Sequence, residues 1–186
     1  AQVLADTLIS RFGEDKAPLA LGIASLLFGF PIFFDAGLIV MIPILMSVAA
    51  RLGGSTLTYA FPAAGAFAVM HAFVPPHPGP VAASDLLGAD IGMLLLYGLL
   101  VAIPTWYLGA YLYGLYAGKR FKVDIPALFS QSQEQGESAN PPSFTTVLLV
   151  LLTPVLLIFL DTGLNTLQVA GVISQNEPWV DTLRML

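Results

Sequence analysis

The chain alternates long apolar runs with short polar breaks, and nearly all of its charge sits in the breaks. Residues Ala1 to Phe12 place Val3, Leu4, Leu8, Ile9 and Phe12 on one helical face, with Gly13 as a stop. This predicts an interfacial helix or the end of a membrane helix. The turn Arg11-Phe-Gly-Glu-Asp-Lys16 is polar. Ala17 to Ala50 is apolar with one interruption, Gly29-Phe-Pro-Ile-Phe-Phe-Asp35-Ala-Gly37. A broken span is predicted over 56–84, a helix over 91–117, a polar loop over 119–143 and a helix over 144–161. Residues 162–186 are mixed in character and are expected on the periplasmic, extracytoplasmic side.

Charge placement sets the class. Between Arg51 and Asp85, between Asp90 and Lys119, and between Glu137 and Asp161 there is no Lys, Arg, Asp or Glu. Each gap holds the roughly 20 apolar residues that a membrane-spanning helix needs. Only 10% of residues are charged and 56% are hydrophobic, against about 25% charged in a soluble domain. The reading is an all-α polytopic membrane protein. The net charge of −5 says little about partners, and no basic patch with interleaved aromatics points to nucleic acid. With no cysteine, disulfides, thiolate metal sites and a cysteine nucleophile are excluded. The chain starts at Ala1 and ends at Leu186 in mid-pattern, which reads as a fragment of something longer.

Three topologies compete for 17–50. One helix would be ~50 Å long against a ~30 Å hydrocarbon core and would carry Pro31, Asp35 and Gly37 in its middle. Two full spans would need each short arm to cross alone. A re-entrant hairpin would return to the side it left. If 17–50 returns, Arg11, Lys16, Arg51, Lys119, Arg120 and Lys122 all fall on the cytoplasmic face, as the positive-inside rule requires. Turn chemistry deep in an apolar run favours the hairpin over two short spans.

The second interruption is made of proline. Pro75, Pro76, Pro78 and Pro80 remove four amide donors within six residues and are expected to force the chain extended. Such backbone is tolerated at membrane depth only where protein buries it or it lines a watery cavity. Ser84-Asp85 is then expected to cap the next helix, whose Tyr113 and Tyr116 fit an aromatic belt at the inner interface.

Candidate chemistry lies at the two breaks. Asp35 is the lone acid of the first apolar block, and an intramembrane acid is costly enough to default to a functional hypothesis. Burial would raise its pKa and suit it to proton coupling. The plainer alternative is a water-exposed cap on the helix from Gly37 onward. Histidine suits proton relay; His77, inside the break, is the stronger candidate, and His71 serves equally well as a hydrogen-bond donor to freed carbonyls. Helix starts after Gly37 and after Pro78-Gly79-Pro80 would present free N–H groups to an anion. Ser47, Ser55, Thr56 and Thr58 add hydroxyls, though such residues usually serve packing. A two-histidine metal site lacks a third ligand of matching spacing. No hydrolase, zincin or Walker signature is present.

Two segments resemble the gluconate:proton symporter (GntP) family of bacterial inner-membrane permeases. They are Gly29-Phe-Pro-Ile-Phe-Phe-Asp35-Ala-Gly37-Leu-Ile-Val-Met-Ile-Pro43 and the more distinctive His71-Ala-Phe-Val-Pro75-Pro76-His77-Pro78-Gly79-Pro80. The resemblance covers nearly the whole chain. Asp35 stands where many relatives carry Glu. Family members are over twice this length, so an N-terminal portion and the second half are absent by that comparison. The resemblance implies multi-pass placement in the inner membrane and uptake of gluconate or a related sugar acid by proton symport. It also implies an ion-transporter-superfamily fold, in which each half brings a re-entrant hairpin and a broken helix to the site. The substrate or proton candidates are then Asp35, Gly37, His71, Pro75, Pro76, His77 and Gly79. The partners are a small anion, protons and the bilayer, with no cofactor and with homo-oligomers left open. Competing readings are a carrier for another carboxylate or amino acid such as D-serine, an intramembrane metalloenzyme using Asp35, His71 and His77, and a channel. No carbonyl-filter motif or charge ring supports the last.

Overall fold

The computed structural model describes residues 2–126, 142–169 and 173. Its helices are α1 (Gln2–Phe12), α2 (Ala17–Gly29), α3 (Phe34–Leu52), α4 (Leu57–Phe73), α5 (Pro78–Leu87), α6 (Ile91–Trp106), α7 (Tyr113–Arg120) and α8 (Phe144–Val169). A 3₁₀ turn (Glu14–Lys16) leads into α2, and a π-helical stretch (Tyr107–Leu112) joins α6 to α7 without a break. There is no strand among the described residues.

Phe34–Leu52, Leu57–Leu87 and Ile91–Arg120 hold 19, 31 and 30 residues and are apolar enough to cross a membrane. α8 forms a fourth such stretch, bent by 40° between Phe144–Pro154 and Leu156–Leu164. Proline 154 explains the bend, since it removes a helical donor and crowds the preceding turn. α2, with 13 residues, is only about 20 Å long, short of the ~30 Å core.

Contacts between chain segments fix the directions. Arg51, near the end of α3, lies 3.8 Å from Glu14, just before α2, so α2 and α3 are the arms of a hairpin. The Arg11 guanidinium stands 5.8 Å over the Phe144 ring, joining the end of α1 to the start of α8. Before α4, Ser55 Oγ donates to the Phe121 carbonyl at 2.8 Å and Thr56 Oγ1 to the Val123 carbonyl at 2.5 Å. Arg11, Lys16, Arg51, Lys119, Arg120 and Lys122 are thereby gathered at one end of the bundle. Arg184 lies outside the described residues. Asp85, Asp90 and Asp161 stand toward the other end, where Gly92 of α6 abuts Thr162 of α8.

α1 buries Leu4, Ala5, Leu8 and Ile9 in the same core as α2, while Gln2, Asp6, Ser10, Arg11 and Phe12 of its other face are exposed. Several local expectations change. Pro78 and Pro80 are helical rather than extended. They occupy the first turn of α5, where a missing N–H costs little and the fixed φ is helical. Ser84 therefore caps nothing; it sits inside α5, with its Oγ donating to Ala89 O at 2.8 Å. The cap of α6 is Asp90, whose Oδ1 accepts from Met93 N at 2.8 Å. Between them Gly88 closes α5 in the left-handed conformation, φ 61°, which glycine adopts without penalty. α8 runs on past Asp161 to Val169.

Two apolar clusters hold the bundle. One joins α1, α2, α3 and the first half of α4 around Leu21, Met41, Leu45 and Phe67. The other joins α4 to α6 around Met70, Val74, Leu95 and Trp106. Trp106 satisfies its indole N–H on the Pro62 carbonyl at 2.8 Å, the usual need of a buried tryptophan.

Candidate functional site: the junction of two interrupted helices

The site begins with what helix ends leave undone. α2 stops at Gly29, and its last carbonyls lack intrahelical donors. α4 stops at Phe73, and Val74 N still reaches Met70 O at 3.1 Å. Pro75 and Pro76, joined by a cis peptide bond, then have no N–H to offer the carbonyls of His71 and Ala72. His77 N turns to Val74 O at 3.3 Å, so the Phe73 carbonyl gets no amide from His77 either. That carbonyl faces Gly98 of α6, where any Cβ would strike it. By rise per residue the break begins about 26 Å along the span, with about 15 Å of α5 beyond it. The break thus falls between two helical parts of the Leu57–Leu87 stretch.

The two interruptions meet. His77, only 3% exposed, brings Nε2 to 2.9 Å from the Gly29 carbonyl. A carbonyl only accepts, so Nε2 carries the hydrogen and donates it. The His71 ring lies 4.8 Å from the His77 ring, centroid to centroid. Phe33, at the hairpin tip, sits edge-on to both imidazoles, at 6.0 and 6.1 Å, while 56% exposed on its other side. His71 Nδ1 is buried and has no hydrogen-bond partner among the described residues.

The remaining candidates divide. Gly37 is buried against the Phe67 ring, with its N–H on Phe33 O at 2.9 Å. Pro75 is fully buried, whereas Pro76 and Gly79 are exposed. Asp35 is exposed and lies in the first turn of α3, which begins at Phe34 rather than after Gly37. The burial expected to perturb its carboxyl is not supplied by these residues. An acid there still complements the positive helix end.

The amide ends are unequal. α3 offers the N–H groups of Phe34, Asp35 and Ala36 before Gly37 N closes the first helical bond. In α5, Pro78 and Pro80 have none and Val81 N is spent on His77 O, which leaves Gly79 alone. Ser55 and Thr56 are used at the far end as a clamp on 121–123. Sequence reasoning passed over Phe33, Phe67 and the Gly29 carbonyl, which together align the two breaks. Among the described residues no three His, Cys, Asp or Glu side chains converge as a metal site.

The sequence profile of the GntP family permeases matches residues 1–183. The chain is 38% identical to a gluconate permease of Pseudomonas aeruginosa over 164 residues, 87% of this chain and 36% of that protein. It is 34% identical to a gluconate permease of Bacillus subtilis over 176 residues, 90% of this chain and 38% of that one. The inner membrane permease YgbN of Escherichia coli is 30% identical over 195 residues, 100% of this chain and 42% of the relative. The chain thus spans well under half the length of these relatives, which are named as permeases and not as enzymes. No solved structure matches it. With three helical stretches fit to cross a bilayer, a fourth where the bent halves of α8 count as one, and a family match along nearly its whole length, this multi-pass inner-membrane protein belongs to the GntP permease family.

Proposed function

We propose that the chain contributes the binding region of a proton-coupled carrier for gluconate or a related sugar acid. The observation that carries this reading is the hydrogen bond from His77 to the Gly29 carbonyl, which holds two helix interruptions together inside the span. Interrupted transporter helices bind small anions at such places, because free N–H groups and helix dipoles hold a carboxylate without an arginine. Here the α3 amides and Gly79 N–H supply that end, and two histidines lie beside it. Relatives named as gluconate permeases support the substrate class. The hairpin of α2 and α3 is read as re-entrant, since α2 is too short to cross. A metalloenzyme reading fares worse, because His71 and His77 have no third ligand among the described residues.

The test is radiolabelled gluconate uptake by the full-length protein in vesicles, with and without an imposed pH gradient. Uptake should rise with an acid exterior. Gluconate uptake indifferent to the gradient would remove the proton coupling. Absent gluconate uptake with D-serine transported would move the substrate to the amino acids.

A further inference from the structure

We propose that His71, rather than His77 or Asp35, carries the coupled proton, and that its Nδ1 is the atom that meets the substrate carboxylate. The assignment deepens the carrier reading above and rests on it.

The two imidazoles are not equivalent. His77 is pinned: it is buried, its Nε2 hydrogen is committed to the Gly29 carbonyl, and its backbone caps α5 by accepting from Val81 N at 3.1 Å. Its chemistry is spent on holding the hairpin tip against the broken span. His71 is partly exposed, and its buried Nδ1 meets no hydrogen-bonding group among the described residues. A nitrogen withdrawn from water with nothing bonded to it costs free energy, and an arriving ligand relieves that cost.

The charged and titratable groups around the pair are few. The end of α2 presents only the Gly29 carbonyl. The hairpin tip presents the Phe33 ring, and α3 behind it carries Asp35, which is exposed. α5 carries Asp85, also exposed, and α6 packs here through Gly98 and Leu95, with Tyr97 exposed. Each histidine has the other's ring 4.8 Å away, centroid to centroid. Like charges this close oppose each other, so the pair accepts one added proton at a time. His77 is 3% exposed, whereas His71 is partly exposed and its Nδ1 has no protein partner among the described residues, so we assign that proton to His71.

A protonated His71 then donates from Nδ1 to a carboxylate, a charge-assisted bond stronger than a neutral one. Proton and anion each stabilise the other's binding, and the pair crosses without net charge. Phe33 covers both rings from the hairpin tip, and opening that cover exposes His71 for release of the proton.

Two measurements decide the matter. In vesicles, the wild type should accumulate gluconate about tenfold per unit of imposed pH difference, the ratio for one proton per anion. His71→Gln should abolish this accumulation, and its residual gluconate exchange should be slowed and no longer vary with pH. His77→Gln, whose amide still donates to the Gly29 carbonyl, should slow uptake yet leave what remains driven by the pH difference, and His77→Ala should lose it. Accumulation retained by His71→Gln would overturn the proposal. Independently of substrate, ¹⁵N spectra of histidine-labelled full-length protein should show His71 taking up a proton on acidification while His77 keeps its Nε2–H form. Uptake at His77 would overturn the assignment. Should the wild type move no gluconate, the carrier reading fails, and the spectra alone still say which histidine binds the proton.

Discussion

The Phe67 ring occupies the space that a side chain on Gly37 would need, and a Cβ on Gly29 would come within 2.7 Å of the same ring. One aromatic from α4 is thus clasped by both arms of the hairpin. The close approach is open only to glycine, and it sets the distance between the hairpin and the broken span. Gly37→Ala should cost about 1–3 kcal/mol by overpacking, and Phe67→Ala about 3–5 kcal/mol by leaving a cavity. Adding Phe67→Leu to Gly37→Ala should recover part of the first loss, since neighbours in contact are not additive. Thermal unfolding of the purified protein in detergent measures all three. A Gly37→Ala protein as stable as its parent would show that the clasp carries no energy.

The hairpin predicts one-sided labelling. The chain has no cysteine, so Lys16→Cys and Arg51→Cys each introduce a single thiol into it. Both should react with a membrane-impermeant reagent from the same face, and Lys122→Cys should react with them. Opposite accessibility of Lys16 and Arg51 would eliminate the hairpin.

Asp35 should matter for transport more than for stability. As a residue of the first turn of α3, its charge is worth about 0.3–1 kcal/mol to the helix. Asp35→Asn is expected to lower the initial rate of gluconate uptake sharply and to leave the dependence on the pH gradient in what remains. Uptake at the wild-type rate would reduce Asp35 to a cap.

At the cationic end, Ser55 and Thr56 fasten the entry to α4 onto the carbonyls of Phe121 and Val123. Ser55→Ala and Thr56→Val should each destabilise by about 1 kcal/mol, the net worth of a hydrogen bond. Neither should change the pH dependence of uptake. A change there would mean that this clamp moves during transport.

Much of the fold was legible because charge is expensive in a bilayer. The charge-free gaps give the spans, and the six described cations give the end of the bundle at which they gather. The proline break was legible as a break but not in its extent. A run of four prolines reads as extended chain, yet Pro78 and Pro80 fall where a helix has spare donors to lose. The cap at Ser84 failed for the same reason, because a helix started by Pro78 was already running through it. The two histidines were visible as candidates from their motif. Their unequal surroundings were not, because these follow from where the Gly29 carbonyl and the Phe33 ring arrive in space. Phe67 carried no signal at all: one phenylalanine in an apolar helix looks like any other until glycines 29 and 37 close on it.

The π-helical stretch from Tyr107 to Leu112 has a consequence for the long helix that contains it. Gly98, Ala102, Trp106, Ala110 and Gly114 recur at every fourth position and are all buried. In a regular α-helix four residues overshoot a full turn by about 40°, so such a series would wind away from its neighbour within a few steps. Wider turns in mid-helix unwind that drift. One ribbon of mostly small side chains therefore stays aimed along α4, from the carbonyl of Phe73 down to Pro62. A single residue removed from the stretch would be absorbed as the wide turns closed to regular ones, so α7, with its terminal lysine and arginine, would keep nearly the same bearing.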